Sequence, residues 1–288
     1  MPTSRKVTKN PAAASRTAVR KAPLTARTAD RHVLYEIAVQ SPDAEMDFVE
    51  ATFKKLRGRP CRAIREDFCG TGHSSCEWVR RGADHTAVGL DLHGPTLAWG
   101  KRHNLSKLTE EQRSRLKLLQ CNVLEPGAEA RGVDAVLAMN FSYFCFKTRD
   151  VLRSYFSKVR ETLGKDGVFF MDAWGGYESM KEQQERRRCK GGFTYVWDQA
   201  KYDPITGDMT CHIHFEFKKG PAMKRAFTYQ WRLWTLPEIQ ELLVEAGFRQ
   251  PTVYWEGEDK RGSGNGVFTA RKHGVADASF ICYITALA

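Results

Sequence analysis

A glycine-rich turn at residues 70–72 is the first segment of the sequence whose residue types could do chemistry. It follows an apolar run, 61–68, and precedes a helix-like stretch that continues to Arg81. Glycines let a ligand approach the backbone closely, and the free N–H groups at the start of a helix attract an electron-rich group. The turn lacks the Gly-Lys-Ser/Thr of a Walker loop and the full spacing of a dinucleotide fingerprint. Taken alone, it therefore also fits a purely structural tight turn.

An acidic residue, Asp91, lies near the end of the next apolar run, about 20 residues beyond the glycine turn. In doubly wound sheets a carboxylate at that position accepts hydrogen bonds from a ribose, which is how adenosine-containing cofactors are held. The turn and the acid together are far more specific than either alone. Asn122 and Asn140 lie at the ends of the third and fourth apolar runs, on the sheet edge where ligands bind. Asn122 either reads the adenine amino group or caps its own loop.

Alternating short strands and amphipathic helices predict how these residues are positioned. Strands are expected at 61–68, 86–92, 115–123, 133–140 and 167–174, with helices between them. Such an alternation forms right-handed βαβ units, so the expected fold class is α/β: a doubly wound, mostly parallel sheet with helices on both faces. From Gly192 the apolar period changes to two, which predicts an inserted antiparallel β meander of three strands. A helix capped by Thr235 and strands at 252–256 and 279–287 complete the sheet.

Four segments together resemble class I S-adenosylmethionine-dependent methyltransferases of the small-molecule type. EDFCGTG (66–72) is similar to the family's first motif, GLDL (89–92) to its second-strand acid, VDAVLAMNFSYF (133–144) to its fourth strand and following loop, and WTLPEIQELLVEAGF (234–248) to its late helix. The resemblance implies a Rossmann-like fold, S-adenosyl-L-methionine as the cofactor and methyl transfer as the activity. Phe68 stands where the family usually has its first glycine, and Asn122 replaces a frequent Asp at the adenine.

The resemblance also implies which residues contact the cofactor. Glu66 would anchor its amino-acid end, Asp91 its ribose and Asn122 its adenine. Tyr35, in the leading helix, is expected to close over the same site. The full expected set is Glu66, Phe68, Cys69, Gly70, Thr71, Gly72, Asp91, Leu92, Asn122, Val123 and Asn140.

Candidate acceptor-facing residues come from the loop after the fourth strand and from the meander. The segment NFSY (140–143) is similar to the Asn/Asp-Pro-Pro-Tyr loop of amino-group methyltransferases without its two prolines, which suggests a nitrogen acceptor. Tyr143 and His214 are the candidate catalytic residues, His214 as a general base because imidazole titrates near neutral pH. Both meander histidines also fit simple packing on a half-buried strand. The candidate substrate contacts are Tyr143, Trp174, His212 and Trp231.

The chain is expected to divide into five segments. In chain order they are a basic disordered tail (1–28), an N-terminal helical lid broken at Ser41 and Pro42 (29–57), a cofactor-binding Rossmann-like core (58–190), inserted antiparallel strands that act as a substrate lid (191–234), and a C-terminal helix and strands that complete the core (235–288).

Composition and charge fit a soluble globular protein rather than a fibrous, collagenous or disordered chain. Of 288 residues, 42% are hydrophobic and 27% are charged, which is ordinary for a globular domain. The net charge is +11, but residues 1–28 hold seven basic and no acidic residues, which leaves 38 basic against 34 acidic residues elsewhere. Nucleic acid is therefore not expected as a partner. The tail fits a disordered arm, an organellar transit peptide or a polyanion-binding arm.

The eight cysteines have no Cys-x-x-Cys spacing and several lie in apolar runs, so buried, reduced thiols are expected. His212 and His214 share one face of a strand, but no third ligand has suitable spacing, and no metal is expected. No apolar run reaches the roughly 18 residues that a membrane span needs. The expected location is the cytoplasm, or an organelle if the tail is a transit peptide. The expected state is a monomer or homodimer.

Three other functions stay open at this point. An RNA or protein methyltransferase would need a basic groove, for which Lys218, Lys219, Lys224 and Arg225 are candidates. A nicotinamide-dependent reductase also uses a glycine turn and a ribose-binding acid, although the third glycine is absent. A degenerate methyltransferase fold that only binds a ligand is the non-enzymatic alternative. A small-molecule methyl acceptor is the partner expected first.

Overall fold

The computed structural model describes residues 24–288 as seven α-helices and twelve β-strands. The helices are α1 (Arg31–Val39), α2 (Pro42–Arg57), α3 (His73–Arg81), α4 (Gly94–His103), α5 (Glu110–Ser114), α6 (Arg149–Thr162) and α7 (Leu236–Glu245). The strands are β1 (Ala63–Asp67), β2 (Thr86–Asp91), β3 (Leu116–Gln120), β4 (Val133–Ala138), β5 (Leu163–Gly175), β6 (Gln183–Cys189), β7 (Phe193–Tyr202), β8 (Asp208–Phe217), β9 (Met223–Arg232), β10 (Arg249–Glu258), β11 (Gly264–Arg271) and β12 (Phe280–Leu287).

Eight strands form one sheet in the order β11-β10-β12-β5-β4-β1-β2-β3. Strands β1 to β5 pair with one another in parallel. Strand β12 lies between β5 and β10 and runs antiparallel to both, and β11 extends the edge antiparallel to β10. The mostly parallel, doubly wound sheet expected from the sequence is confirmed, whereas β11 was not expected.

The central strands are buried on both faces, because their side chains alternate between two hydrophobic cores. Ala135 and Leu137 of β4 pack into the core that contains α2 and α3 residues. Val136 and Ala138 pack into the core that contains α6 and α7 residues. A parallel sheet covered on both faces reads as continuous apolar runs, which is how β4 and β5 were recognised. The loops at the carboxyl ends of these strands are left to form the site.

Local signals in the sequence place the helix ends. Pro42 occupies the first turn of α2, and Gly58 ends this helix in the left-handed conformation (φ +68°), its N–H donating to the Lys54 carbonyl at 2.9 Å. Thr235 caps α7 in a capping box with Glu238, as its position before the apolar period indicated. The break between the two leading helices, α1 and α2, is confirmed at Ser41 and Pro42.

A second, antiparallel sheet has the order β6-β7-β8-β9. The three-strand meander expected from the sequence is present as β7, β8 and β9. Strand β6 (QQERRRC) was not expected and lies within the range assigned to the core. It is an exposed edge strand with no apolar alternation, so no period-two signal marks it. Helix α1 packs on this sheet through Leu34 and Ala38, which join Phe193, Ile213 and Phe215 in a third core.

The proposed disordered tail falls mostly outside the described residues. Its last part, 24–28, forms a hydrogen-bonded turn in which the Ala29 N–H donates to the Thr25 carbonyl at 2.9 Å. Leu24 packs against the third core, so disorder is wrong for this part. All eight cysteines are free thiols, but the expected burial holds for only five of them, because Cys121 and Cys189 are half-buried and Cys145 is exposed. Within residues 24–288, the helices are too short or too polar to cross a membrane.

Candidate active site

The glycine turn follows β1 directly and has the conformation that its residue types favour. Gly70 and Gly72 both lie in the left-handed region, at φ +54° and +66°. A Cβ on Gly70 would have only Thr96 Cγ2, at 4.0 Å, within contact range, so the space beside this residue is open. A Cβ on Gly72 would meet the Leu118 side chain at 2.8 Å. Gly70 therefore faces a cavity, and a larger residue at position 72 would adopt a strained left-handed backbone and displace the Leu118 side chain.

Phe68 adopts φ +57°, so the backbone keeps the left-handed conformation at the position where a glycine was anticipated. Such a conformation is uncommon for a side chain other than glycine. The Phe68 ring packs against Phe146 and Tyr155, with ring centroids 5.9 and 5.7 Å away. Tyr155 in turn donates its hydroxyl to Asp67 Oδ2 at 2.8 Å. Aromatic packing therefore holds Phe68 in place at the start of the turn.

Asp91, at the end of β2, connects the turn to the sheet. Its Oδ2 accepts a hydrogen bond from the Gly70 N–H at 2.8 Å, and its Oδ1 accepts one from the His93 N–H at 2.7 Å. Each carboxylate oxygen keeps a further lone pair for a ligand hydroxyl. The predicted ribose acid thus lies beside the predicted glycine turn.

Glu66 is a buried carboxyl group behind the same turn. Its Oε2 accepts hydrogen bonds from both the N–H, at 3.0 Å, and the hydroxyl of Ser75 in α3. Burial raises the pKa of Glu66 to about 8, although the Ser75 hydrogen bonds act in the opposite direction. At neutral pH this carboxyl group therefore holds a proton for much of the time.

Helix α1 lies over the glycine turn and is bonded to it. Glu36 Oε1 accepts hydrogen bonds from the Thr71 hydroxyl at 2.6 Å and from Asn104 Nδ2 at 2.7 Å. At the start of α1, Asp30 Oδ2 accepts a hydrogen bond from Trp99 Nε1 at 2.7 Å. These contacts fix α1 as one wall of a cavity, and Tyr35 lies on that wall.

This first cavity has a volume of about 380 Å³. Seven of the eleven residues expected to bind the cofactor line it: Glu66, Phe68, Cys69, Gly70, Thr71, Asp91 and Asn140. The other four do not. Gly72 packs on Leu118 and Val123 is buried in the core, whereas Leu92 is 67% exposed on the surface. Asn122 Oδ1 accepts a hydrogen bond from the Leu124 N–H at 3.0 Å, which is the loop-capping alternative.

A second cavity of about 410 Å³ adjoins the first. It lies between the carboxyl end of β5, helix α1 and the antiparallel sheet, and its lining includes Trp174 and Trp231, two of the predicted substrate contacts. Four residues belong to the walls of both cavities: Tyr35, Asn140, Tyr229 and Trp231. The two cavities therefore meet at a shared wall.

Asp172, near the end of β5, organises this wall and was missed in the sequence. Its carboxylate accepts hydrogen bonds from the Asn140 N–H at 2.8 Å and from the Phe141 N–H at 2.9 Å. Both of those residues are left-handed, at φ +58° and +55°, so Asp172 holds a strained loop. Burial raises the pKa of Asp172 to about 7. An acid inside the apolar run FFMDAW is the signal that would have revealed it.

Tyr143 lines neither cavity, so the structure does not place it where its predicted catalytic and substrate roles require it. Its side chain is 0% exposed and packs against Phe144 and Phe156. The hydroxyl donates a hydrogen bond to the Asp172 carbonyl oxygen at 2.7 Å. Without the two prolines, the NFSY segment continues as a 3₁₀ turn (Ser142–Cys145) that turns this tyrosine into the core.

His212 and His214 lie on the wrong face of β8 to contact an acceptor. Ile213, between them, lines the second cavity, and strand alternation points both histidines away from it. His214 Nδ1 accepts a hydrogen bond from the Arg225 N–H at 2.7 Å, and its Nε2 lies 2.9 Å from Asp198 Oδ2. His212 Nδ1 lies 2.9 Å from Thr228 Oγ1. The packing alternative holds for both residues, and neither the general base nor the substrate contact is present.

Comparison with known proteins places the fold. No protein-family model matches the sequence, and no curated protein matches it in a sequence comparison. Among solved structures, an S-adenosylmethionine-dependent methyltransferase from Clostridium acetobutylicum aligns with a TM-score of 0.64 at 16% identity, over 89% of this chain and 96% of the other. The S-adenosylmethionine-bound CalS10, an amino pentose methyltransferase from Micromonospora echinaspora, aligns with a TM-score of 0.63 at 16% identity, over 89% and 95%.

A third similar structure is the sugar N-methyltransferase KedS8 from a Streptoalloteichus species. It aligns with a TM-score of 0.60 at 15% identity, over 100% of this chain and 98% of the other. At such identities the likeness concerns the fold. This chain has the fold of S-adenosylmethionine-dependent methyltransferases.

Proposed function

We propose that the protein is an S-adenosylmethionine-dependent methyltransferase that acts on a small molecule. One observation carries the proposal: the cavity beside the glycine turn and Asp91 shares a wall with a second cavity. Methyl transfer is an in-line displacement, so it requires the donor and the acceptor to occupy adjoining spaces in a fixed orientation. Asn140 and Trp231, which belong to both cavities, mark where the two reactants would meet.

The residues of the first cavity fit the cofactor. Asp91 keeps lone pairs for the ribose hydroxyls, and the open space beside Gly70 lets a ligand approach the backbone. Glu66 lies behind the turn, where it would act on the amino-acid end of the cofactor. When bound, S-adenosylmethionine supplies an electrophilic methyl group on a positively charged sulfur. The protein's contribution is to position the acceptor and to exclude water, with α1 and the antiparallel sheet as the covers.

The proposed acceptor is a small molecule with a nitrogen as its methylated atom. The second cavity has the volume of a small-molecule site, and its walls are mostly side chains of packed strands and a helix. Two proteins of similar fold are an amino pentose methyltransferase and a sugar N-methyltransferase, which supports a nitrogen in a small acceptor.

Ligand-induced stabilisation tests this proposal. The protein is heated alone, with S-adenosylhomocysteine, and with NADPH. At about 100 times its dissociation constant a ligand adds about 2.7 kcal/mol to the free energy of unfolding, which raises the midpoint by a few degrees. We expect a shift with S-adenosylhomocysteine and none with NADPH. The proposal fails if only NADPH raises the midpoint, or if neither ligand does.

A further inference from the structure

Four aromatic side chains of the second cavity form a closed circuit, here called the aromatic box: Phe141, Trp174, Trp197 and Trp231. The ring centroid of Trp197 lies 6.0 Å from those of both Trp174 and Trp231. The Phe141 centroid lies 6.5 Å from Trp174 and 6.3 Å from Trp231. Two of the four junctions are nearly perpendicular, at 84° for Trp174 with Trp197 and 87° for Phe141 with Trp231.

All four rings line the second cavity, so a ligand group bound there lies beside several aromatic side chains. A cation is attracted to the face of an aromatic ring when it lies within about 6 Å of the centroid, and tryptophan gives the strongest attraction. Three of the four rings in the aromatic box are tryptophans. Enclosures of this kind are the typical protein site for ammonium groups.

Acidic residues outnumber basic ones in the lining of the same cavity. Four carboxyl groups line it, from Glu45, Asp172, Glu185 and Glu256. Among residues 24–288 none of the four forms an ion pair with another side chain. Glu45 and Asp172 are each 7% exposed, and burial raises the pKa of both carboxyl groups, so a nearby cation favours their ionised forms.

The basic side chain in the lining, Arg187, is already engaged. Its guanidinium donates a hydrogen bond to the Ala38 carbonyl oxygen of α1 and lies 5.4 Å from the centroid of the Tyr195 ring. These contacts hold β6 against α1. The cavity therefore keeps an excess of acidic groups that this arginine does not neutralise by direct pairing.

We propose that the second cavity recognises the acceptor as an organic cation, with its positive group between the aromatic box and the Asp172 carboxylate. This inference rests on the proposed function, because the cavity is an acceptor site only if the first cavity holds the cofactor. Trp231 lines both cavities, so a cation in the aromatic box lies next to the shared wall. A protonated amine supplies such a charge when it binds. It passes its proton to the Asp172 carboxylate, and the freed nitrogen lone pair then forms the N–C bond to the methyl group as the S–C bond of the cofactor breaks.

The environment of Asp172 supports this assignment. Two backbone N–H groups hold its carboxylate in place, so it presents a fixed acceptor rather than a mobile one. Burial raises the pKa of this carboxyl to about 7, and a nearby positive charge favours the ionised form. A neutral ligand of the same shape would leave that carboxylate uncompensated.

Two probes of equal shape and different charge test the inference. Choline carries a quaternary ammonium, and 3,3-dimethylbutan-1-ol replaces its nitrogen by carbon. Both are titrated into the full chain at pH 8, saturated with S-adenosylhomocysteine, which fills the first cavity without a sulfonium charge. Tryptophan fluorescence and calorimetry report binding. We expect choline to bind at least tenfold more tightly than its neutral counterpart.

Variants locate the source of this preference. Glu185→Gln removes an exposed carboxylate from the cavity rim, and Trp197→Leu removes one ring of the aromatic box; each is expected to reduce the choline preference severalfold. Glu216→Gln is the matched control, because Glu216 is on the same sheet but outside the cavity lining. In a turnover assay with S-adenosylmethionine, benzylamine is expected to yield more S-adenosylhomocysteine than benzyl alcohol.

The outcomes separate the two proposals. If S-adenosylhomocysteine binds and the two probes then bind within twofold of each other, cation recognition is wrong and the proposed function stands. Tighter binding of the neutral probe has the same meaning. If S-adenosylhomocysteine does not bind at all, the proposed function fails, and the assignment of the cavity to an acceptor fails with it.

Discussion

Replacing Glu66 by glutamine should change how the stability of the ligand-free protein depends on pH. Both hydrogen bonds from Ser75 end on the same carboxyl oxygen, Oε2. The amide oxygen of glutamine can accept both, while its NH₂ group takes the place of Oε1. The substitution therefore removes the titrating group and keeps the local contacts.

The expected magnitude follows from the buried carboxyl. The pKa of Glu66 is raised from 4.5 to about 8, mainly by burial and also by the neighbouring carboxyl groups of Glu45 and Asp91, against the opposing effect of the Ser75 hydrogen bonds. Between these two values the folded protein keeps a proton that the unfolded chain has released, so stability falls as pH rises through this window. Each pKa unit corresponds to about 1.4 kcal/mol. The full rise from 4.5 to about 8 corresponds to about 5 kcal/mol.

The assay is urea unfolding of the wild type and Glu66→Gln at pH 5 and at pH 8.5. The wild type should lose stability relative to the variant over this range, by several kcal/mol. Glu241→Gln, on the exposed side of α7, is the control, and its change in unfolding free energy between the two pH values should equal that of the wild type. If the difference in unfolding free energy between the wild type and Glu66→Gln is the same at both pH values, then Glu66 is ionised in the folded protein. That result would refute its raised pKa.

Three further substitutions test the assignments in the two cavities. Asp91→Ala should weaken S-adenosylhomocysteine binding by about 2–3 kcal/mol, as measured by calorimetry, because a charged acceptor is lost; unchanged affinity would exclude its ribose role. Tyr143→Phe should lower the free energy of unfolding by about 1 kcal/mol, because it removes the hydrogen bond to the Asp172 carbonyl. A changed affinity for S-adenosylhomocysteine would instead show that Tyr143 contributes to the binding site. His214→Gln should leave the pH profile of turnover as it is, and loss of one limb of that profile would make His214 a base after all.

The fold was predictable because its strongest signals are local. The apolar runs that became β4 and β5, the Thr235 cap and the period-two segment each reflect burial or capping within a few residues. The pairing of Gly70 with Asp91 was also within reach, because a parallel sheet brings successive strand ends to the same edge.

The predictions that the structure did not bear out concern the direction in which side chains point and the pairing of an edge strand. Hydrophobic periodicity determines neither. The meander pattern was correct, but the face of β8 that packs toward α1 carries Ile213, and the histidines point away. Tyr143 is turned into the core by a 3₁₀ turn that depends on Asp172, a residue far along the chain. Strand β6 forms through pairing with β7 and has no apolar pattern of its own.

A crystal structure with S-adenosylhomocysteine bound is the most direct test of the central claim that the two cavities hold the donor and the acceptor. We expect Asp91 to contact the ribose hydroxyls and the sulfur to lie at the shared wall of Asn140 and Trp231, facing the second cavity. A ligand bound elsewhere, or a sulfur that points away from the second cavity, would contradict it.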